Sequence, residues 1–114
     1  MKKTESLCDN KRFLYIYRKG KTFVSPFFVL YTLPNKKDEN RLGITVGKKA
    51  VGNAVSRNRA KRVLREAYYY CEDAIKTGND IIIVSKRKTP YMNSLQVGKE
   101  LFSAFEALSM TERN

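Results

Sequence analysis

The chain has 114 residues, of which 23 are Lys or Arg and 11 are Asp or Glu, giving a formal net charge of +12. At this length one domain is expected, and the 42% apolar and 11% aromatic residues exclude a disordered basic tail. Such a charge surplus on a folded body indicates a polyanionic partner, either nucleic acid or an acidic membrane surface, and the absence of His with only two Cys excludes a structural zinc site.

The first predicted element is a short helix. Asp9 or Asn10 provides its N-cap, apolar residues then recur at helical spacing, and Gly20 is expected to end it as a left-handed C-cap. Because a helix of roughly two to three turns is not stable alone in water, it must pack on the rest of the domain. Phe13 and Tyr17 lie one turn apart and therefore share a face.

Strands are predicted next. The stretch from Thr22 to Leu33 is rich in β-branched and aromatic residues and is broken at Pro26, which marks an edge, bulge or corner. Residues 34–40 form a polar turn and Arg41 to Val46 is the return strand, so the two strands are expected to pair as a hairpin. Alternation after the proline places four residues on one face of the sheet: Phe27, Val29, Tyr31 and Leu33.

The longest predicted helix follows a basic, glycine-containing connection. It runs from about Ser56 to Lys76, and Gly78 ends it. Its apolar residues gather on one arc, which predicts the face that packs on the sheet. These residues are Ala60, Val63, Leu64, Ala67, Cys71, Ala74 and Ile75.

The rest of the chain predicts a buried strand and a last helix. Residues 81–84 are a continuous apolar run typical of a buried strand, and a strand after a helix indicates a βαβ crossover. A basic loop at 86–88 precedes a helix from Ser94 to Leu108. The sequence thus predicts a single α+β domain over residues 1–114, with a small mixed or antiparallel sheet. The element order is αββαβα, or αβββαβα with a further strand.

Cysteine usage and apolar patterning indicate a soluble, cytoplasmic protein. No apolar signal region follows the N-terminal Met-Lys-Lys. The longest apolar stretch, residues 27–33, is far shorter than the roughly 18 residues that a membrane-spanning helix needs. Counting leaves one disulfide between Cys8 and Cys71 open, but a reducing compartment favours free thiols.

Residues 48–65 contain seven basic side chains and no acidic one. An ordinary solvated helix mixes both signs, because i,i+4 ion pairs support it. Cations in the first helical turn also oppose the helix dipole, at roughly a few tenths of a kcal/mol each, and a bound polyanion would reverse that cost. Asn58 adds a group suited to a 2′-hydroxyl or a base edge. We therefore predict a phosphate-binding helix and entry loop formed by Lys48, Lys49, Arg57, Asn58, Arg59, Lys61, Arg62 and Arg65.

A second candidate site is aromatic. Each of its rings, taken alone, is more often a core residue than a ligand contact. Together, beside a basic groove, such rings are suited to stacking unpaired bases. The pattern therefore indicates a groove for single-stranded nucleic acid, formed by Phe13, Tyr17, Phe27 and Tyr31.

No catalytic or metal-binding set is evident in the sequence. Without His, hydrolysis would need paired carboxylates or an activated nucleophile. The eleven acidic residues fall mostly in predicted turns or on solvated helix faces, at no spacing that would gather carboxylates around a metal. The chain is therefore expected to bind a partner, with no catalytic residue of its own.

Three consecutive segments resemble the signature of the protein subunit of bacterial ribonuclease P. They are RLGITVGKK at 41–49, GNAV at 52–55 and SRNRAKRVLREA at 56–67, which includes the RNR motif at Arg57, Asn58 and Arg59. The similarity extends to residues 5–7, to Phe13, Tyr17 and Gly20, and to the strands at 28–31 and 80–84. The resemblance therefore covers nearly the whole chain.

This resemblance implies a non-catalytic partner of a large catalytic RNA. With Mg²⁺, held mainly by the RNA and substrate, that RNA removes the 5′ leader from precursor tRNA. The family fold is α+β with a left-handed βαβ crossover, against the usual right-handed rule.

Carried over by position, the basic helix and loop predicted above resemble the family's contacts with the catalytic RNA and the leader. The residues that resemble the lining of its leader-binding cleft are Phe13, Tyr17, Phe27, Val29 and Tyr31. A further RNA contact is expected at Lys86, Arg87 and Lys88.

Two other interpretations remain open on the sequence. A small basic ribosomal or other structural RNA-binding protein would share the charge and the α+β class, but it gives no reason for an aromatic groove. A peripheral membrane protein would need a basic helix with bulky apolar residues ready to insert, whereas the arc around Ala60 and Ala67 has small residues suited to packing on a sheet.

Overall fold

The computed structural model describes residues 4–47 and 52–111. Its strands are Thr4–Ser6 (β1), Lys21–Val24 (β2), Phe28–Pro34 (β3), Asn40–Thr45 (β4) and Asn79–Ser85 (β5). Its helices are Asn10–Lys19 (α1), Ala54–Cys71 (α2) and Ser94–Ala107 (α3), with 3₁₀ turns at Glu72–Ala74 and Thr89–Tyr91. The α+β class is confirmed, and the order is αβββαβα preceded by one more strand, β1.

The five strands form one mixed sheet in the order β1-β4-β5-β3-β2. The predicted hairpin between β3 and β4 is wrong, because β5 lies between them, antiparallel to β3 and parallel to β4. The reason is burial: Ile81, Ile82 and Ile83 are fully buried, and a strand that is apolar on both faces is most stable at the centre of a sheet. The hairpin is instead β2–β3, and the predicted βαβ unit is β4–α2–β5.

Helices cover both faces of the sheet. The larger core lies between the sheet and α2 with α3, and it includes Phe28, Leu30 and Ile81. The predicted arc of α2 is confirmed from Ala60 to Cys71, where each of its members is buried. The helix itself ends earlier than expected, at Cys71, and the chain continues as the 3₁₀ turn toward Gly78. The opposite face holds α1 and a smaller core.

Gly20 is not the left-handed cap that was predicted, since its φ is −76°. Its lack of a side chain is needed for a different reason. A Cβ at this position would lie 2.7 Å from the carbonyl oxygen of Ile16 and 2.8 Å from that of Thr32. Glycine therefore allows the end of α1 to lie directly on β3.

Asp80 connects α1 to the sheet. Its carboxylate is fully buried and accepts hydrogen bonds from Arg12 Nε of α1 at 2.7 Å, and from Arg41 Nε and Nη2 of β4, both at 2.7 Å. Asn35 Nδ2 donates to the same carboxylate at 3.0 Å. Burial alone would raise the pKa of Asp80, but the hydrogen bonds from Arg41, Arg12 and Asn35 outweigh it and hold this pKa below its usual range.

Replacing Asp80 with Asn is expected to lower the free energy of unfolding by about 3 kcal/mol, near the lower end for a broken buried ion pair because both arginines reach solvent. The ionised Asp80 carboxylate stabilises the folded protein fully at pH values above its ordinary pKa of about 3.9. This contribution is lost as the pH falls through the lowered pKa of the folded state. The difference between wild type and Asp80→Asn in urea unfolding should therefore shrink on going from about pH 7 to about pH 3. The exposed Asp38, replaced in the same way, is the control. An equal effect of the two substitutions would contradict the role given to Asp80.

The two cysteines are both free, and they differ in accessibility. Cys8 is exposed, whereas Cys71 is buried between α2 and α3 and its thiol donates to the carbonyl oxygen of Gly98 at 3.3 Å. Burial raises the pKa of Cys71 to about 12, so its reactive thiolate is scarce at neutral pH. We expect iodoacetamide to modify one thiol of the native protein, at Cys8, and both after unfolding. Mass spectrometry of the alkylated peptides measures this, and rapid labelling of native Cys71 would contradict the α2–α3 packing described.

Candidate nucleic-acid interface

The basic face of α2 begins near the C-terminal ends of the strands β4 and β5. Asn53 caps the helix by accepting a hydrogen bond from the Ser56 amide at 2.8 Å, and the first turn contains no acidic residue. The buried arc of α2 faces the sheet and α3, so the basic positions point away from the core. Four of the predicted binding residues are exposed, namely Asn58, Arg59, Arg62 and Arg65, while Arg57 and Lys61 are half-buried. Lys48 and Lys49 lie outside the described residues.

Arg57 has an unusual environment within this face. Its Nε is shielded from solvent and has no hydrogen-bond acceptor in the described part of the chain. A buried donor without an acceptor costs about 1–3 kcal/mol. A phosphate oxygen is an acceptor that a guanidinium pairs with strongly, so Arg57 is suited to a phosphate contact.

The basic loop at 86–88 lies at the same end of the sheet as the start of α2, beyond the C-terminal ends of β4 and β5. Lys86 follows the end of β5, and its amide donates to Thr89 Oγ1 at 3.0 Å. Thr89 Oγ1 in turn donates to the carbonyl oxygen of Phe27, and the turn Thr89–Tyr91 packs against α2. Arg87 and Lys88 are exposed. The structure therefore brings the third predicted basic segment beside the first, which the sequence order could not show.

Three aromatic rings line the other face of the sheet, and we call them the aromatic wall: Phe13, Tyr17 and Tyr31. The ring centroids of Phe13 and Tyr17 are 6.2 Å apart, and those of Tyr17 and Tyr31 are 4.8 Å apart, both edge to face. All three residues are half-buried against the smaller core, so their rings serve packing and still reach solvent. The aromatic wall is thus a surface on which bases could stack.

An apolar strip continues the aromatic wall toward the edge where β4 and β5 end. Val29 faces the same side as Tyr31, and the register places it between Val24 of β2 and Val84 of β5. Val24 is 64% exposed. Sequence reasoning included Val29 but missed Val24 and Val84, because only the strand register shows that they lie beside it.

Phe27 does not join the aromatic wall, so its predicted place on the face of Val29 and Tyr31 is wrong. The strand β3 begins at Phe28, and residues 25–27 form the turn that contains Pro26. The period-two alternation therefore does not extend back to position 27. Phe27 packs instead against the larger core, on the side of α2 and α3.

The described residues contain no group of three His, Cys, Asp or Glu side chains that could hold a metal ion. Residues 4–47 and 52–111 thus offer no place where three or more such side chains surround one ion. Within the same ranges no helix combines the length and the apolar character needed to cross a membrane.

The chain is similar to the members of one protein family. Residues 1–109 match the model of the family described as Ribonuclease P. A "Ribonuclease P protein component" of Desulforapulum autotrophicum is 39% identical over 106 residues, which cover 93% of this chain and 90% of the relative. That of Listeria welshimeri is 38% identical over 102 residues, covering 89% of this chain and 85% of the relative.

Solved structures of proteins with the same description share the fold. The RNase P protein of Staphylococcus aureus has a TM-score of 0.81 at 35% identity, covering 96% of this chain and all of the other. The RNase P protein of Thermotoga maritima has a TM-score of 0.78 at 30% identity, covering 90% and 96%. The similarity therefore extends over nearly the whole of each chain.

Proposed function

The chain belongs to the ribonuclease P protein family, and we propose that it is the RNA-binding subunit of a ribonuclease P holoenzyme that removes the 5′ leader from precursor tRNA. In this proposal the catalytic RNA performs the Mg²⁺-dependent hydrolysis, which leaves a 5′ phosphate on the tRNA. The protein supplies binding only. The observation that carries the proposal is the basic face of α2, which has no acidic residue from Arg57 to Arg65 and exposes Arg59, Arg62 and Arg65 to solvent.

The two candidate surfaces have different tasks in this mechanism. The basic face of α2 and the loop at 86–88 bind phosphates of the catalytic RNA and of the substrate near the scissile bond. Each neutralised phosphate removes repulsion between the two RNAs and allows Mg²⁺ to be bound by RNA and substrate. The aromatic wall binds unpaired bases of the leader, which precursor tRNA has and mature tRNA lacks. Binding the leader favours substrate over product.

A structural RNA-binding protein, such as a ribosomal one, is the alternative that reconstitution tests. The purified protein should restore leader cleavage to the catalytic RNA at low Mg²⁺. Its Lys and Arg side chains, once bound to the RNA, replace part of the charge screening that Mg²⁺ otherwise provides. A protein that bound the RNA without stimulating cleavage would support the alternative.

Replacing Tyr17 or Tyr31 with Ala is expected to weaken binding of precursor tRNA by the holoenzyme roughly 5- to 150-fold, the equivalent of the ~1–3 kcal/mol gained when a base stacks on an aromatic ring. Mature tRNA has no leader, so its affinity should stay within about twofold. Equilibrium titrations with both tRNAs measure the difference. Tyr15→Ala, on the exposed side of the same helix, is the matched control for Tyr17. Tyr31→Leu keeps apolar packing and should still lose precursor affinity, which separates stacking from misfolding. Equal losses for precursor and mature tRNA would contradict leader binding at this wall.

Replacing Arg57 and Arg62 together with Gln is expected to weaken assembly with the catalytic RNA and to flatten its salt dependence. The slope of log affinity against log salt should fall by about 1.4 to 1.8 for two lost phosphate contacts, at roughly 0.7 to 0.9 each. The matched control is Lys37→Gln with Lys76→Gln, which removes the same charge at exposed positions beyond the opposite edge of the sheet. An unchanged slope for the arginine variant would refute phosphate contact at α2.

A further inference from the structure

A cavity of about 460 Å³ lies between α2 and the segment that joins β1 to α1, within the roughly 300–1,000 Å³ typical of small-ligand sites. Its lining includes Lys61, Arg65 and Tyr69 from α2, with Cys8, Phe13 and Ile44 on the other sides. Neither the basic face nor the aromatic wall accounts for it, although it borders both.

The cavity exists because β1 is shorter than β4, the strand with which it pairs. β1 pairs with β4 as far as Leu42, whereas β5 pairs with β4 as far as Thr45. The Leu7 amide donates to the carbonyl oxygen of Leu42 on the outer edge, and backbone groups two residues apart in a strand point the same way. The N–H and C=O of Ile44 therefore face the part of the edge that β1 leaves open, as a donor and an acceptor.

The position of β1 is fixed by a polar network at the far end of the cavity. Thr4 Oγ1 donates to the buried Glu72 carboxylate at 2.6 Å, so Tyr68 donates to the same Oγ1 across 2.9 Å. Glu72 is thereby satisfied, although it lines the cavity. These hydrogen bonds join the first residue of β1 to Tyr68 near the end of α2 and to Glu72 just after it. They fix this side of the cavity, so the cavity is preformed.

The cavity is lined by two cations on α2 and by two carboxylates, those of Glu5 and of the hydrogen-bonded Glu72. Lys61 and Arg65 are one helical turn apart and line the same wall. Within 4–47 and 52–111 neither side chain has an ion pair or hydrogen-bond partner. Two like charges at i,i+4 destabilise a helix, and a phosphate between them would remove that cost.

The remaining lining suits a nucleobase. Phe13 presents an aromatic ring, and Tyr69 is 59% exposed although its helix packs on the core. Aromatic rings stack bases of any sequence, and the Glu5 carboxylate on the same lining can accept from an exocyclic amino group. The ligand class that carries both a phosphate and a base is the nucleotide.

We propose that this cavity binds a single unpaired nucleotide of an RNA, with its phosphate between Lys61 and Arg65 and its base against Tyr69 and Phe13. The proposal rests on the proposed function, since it names a further contact of the same RNA-binding protein. The nucleotide belongs either to the catalytic RNA or to the precursor tRNA, and its chemistry is the same in both cases.

Two adjacent tyrosines of α2 provide a matched pair of variants. Tyr69 lines the cavity, whereas Tyr70, 51% exposed, lies against Gly98 of α3. Tyr69→Ala is expected to weaken binding of the RNA that supplies the nucleotide roughly tenfold, within the range for one stacked base. Tyr70→Ala should leave it within about twofold, and Tyr69→Phe should restore it. Equal effects of Tyr69→Ala and Tyr70→Ala would overturn the proposal.

Cys8 reports which RNA occupies the cavity. It is exposed on the lining, and Cys71 is buried, so the rate of iodoacetamide alkylation follows one site. Slower alkylation with the catalytic RNA alone would assign the nucleotide to that RNA, and slower alkylation only with precursor tRNA would assign it to the precursor. Tyr69→Ala should reduce the protection in either case.

The same measurements separate failure of this proposal from failure of the proposed function. If the wild-type protein stimulates leader cleavage but Cys8 stays unprotected with every bound RNA, the cavity proposal is refuted alone. If the wild-type protein does not stimulate cleavage at all, the proposed function is refuted.

Discussion

The buried carboxylate of Asp80 determines where α1 lies. A helix of ten residues has little stability of its own, and the buried residue of this one is Ile16. Arg12 of α1 and Arg41 of β4 both bind Asp80, so the first turn of α1 is fixed above β5 and β4. Phe13 and Tyr17 follow at fixed distances along the helix, and they can meet Gly43 and Tyr31 only in this position. The aromatic wall therefore depends on an ion pair that is not part of it.

On the other face of the sheet, one side of α2 is buried in the larger core and the opposite side carries the basic residues. Its stability comes from the buried arc, where Ala60, Leu64 and Ala67 are fully buried, because the charges on its exposed side repel one another and oppose its dipole. The small residues of that arc let α2 lie close to the sheet. This packing lets the helix keep a face of single-sign charge without a bound RNA.

The sequence predicted those features that depend on neighbours along the chain. The helices, except for the end of α2, together with the α2 arc and the basic face, follow from a 3.6-residue period, so the sequence could predict them. Strand pairing is different, because the place of β5 between β3 and β4 depends on contacts between distant segments. The same limit explains the error at Gly20, where the constraint comes from the Thr32 carbonyl of another element. The error at Phe27 has a local cause, because the turn at Pro26 includes residue 27 and the strand alternation begins only at Phe28. β1 has no apolar alternation and forms only because β4 offers an edge.

Gly43 is the point where both surfaces of the protein meet. A Cβ at this position would lie 2.5 Å from Cζ of Phe13, so the ring can rest on β4 only because residue 43 has no side chain. Phe13 belongs to the aromatic wall on one side and to the lining of the cavity on the other. A larger residue at 43 would push the ring away from the strand and change both surfaces at once. The resemblance to a known family indicated the candidate RNA-binding segments, but the requirement for glycine at 43 follows from the packing of one ring on one strand.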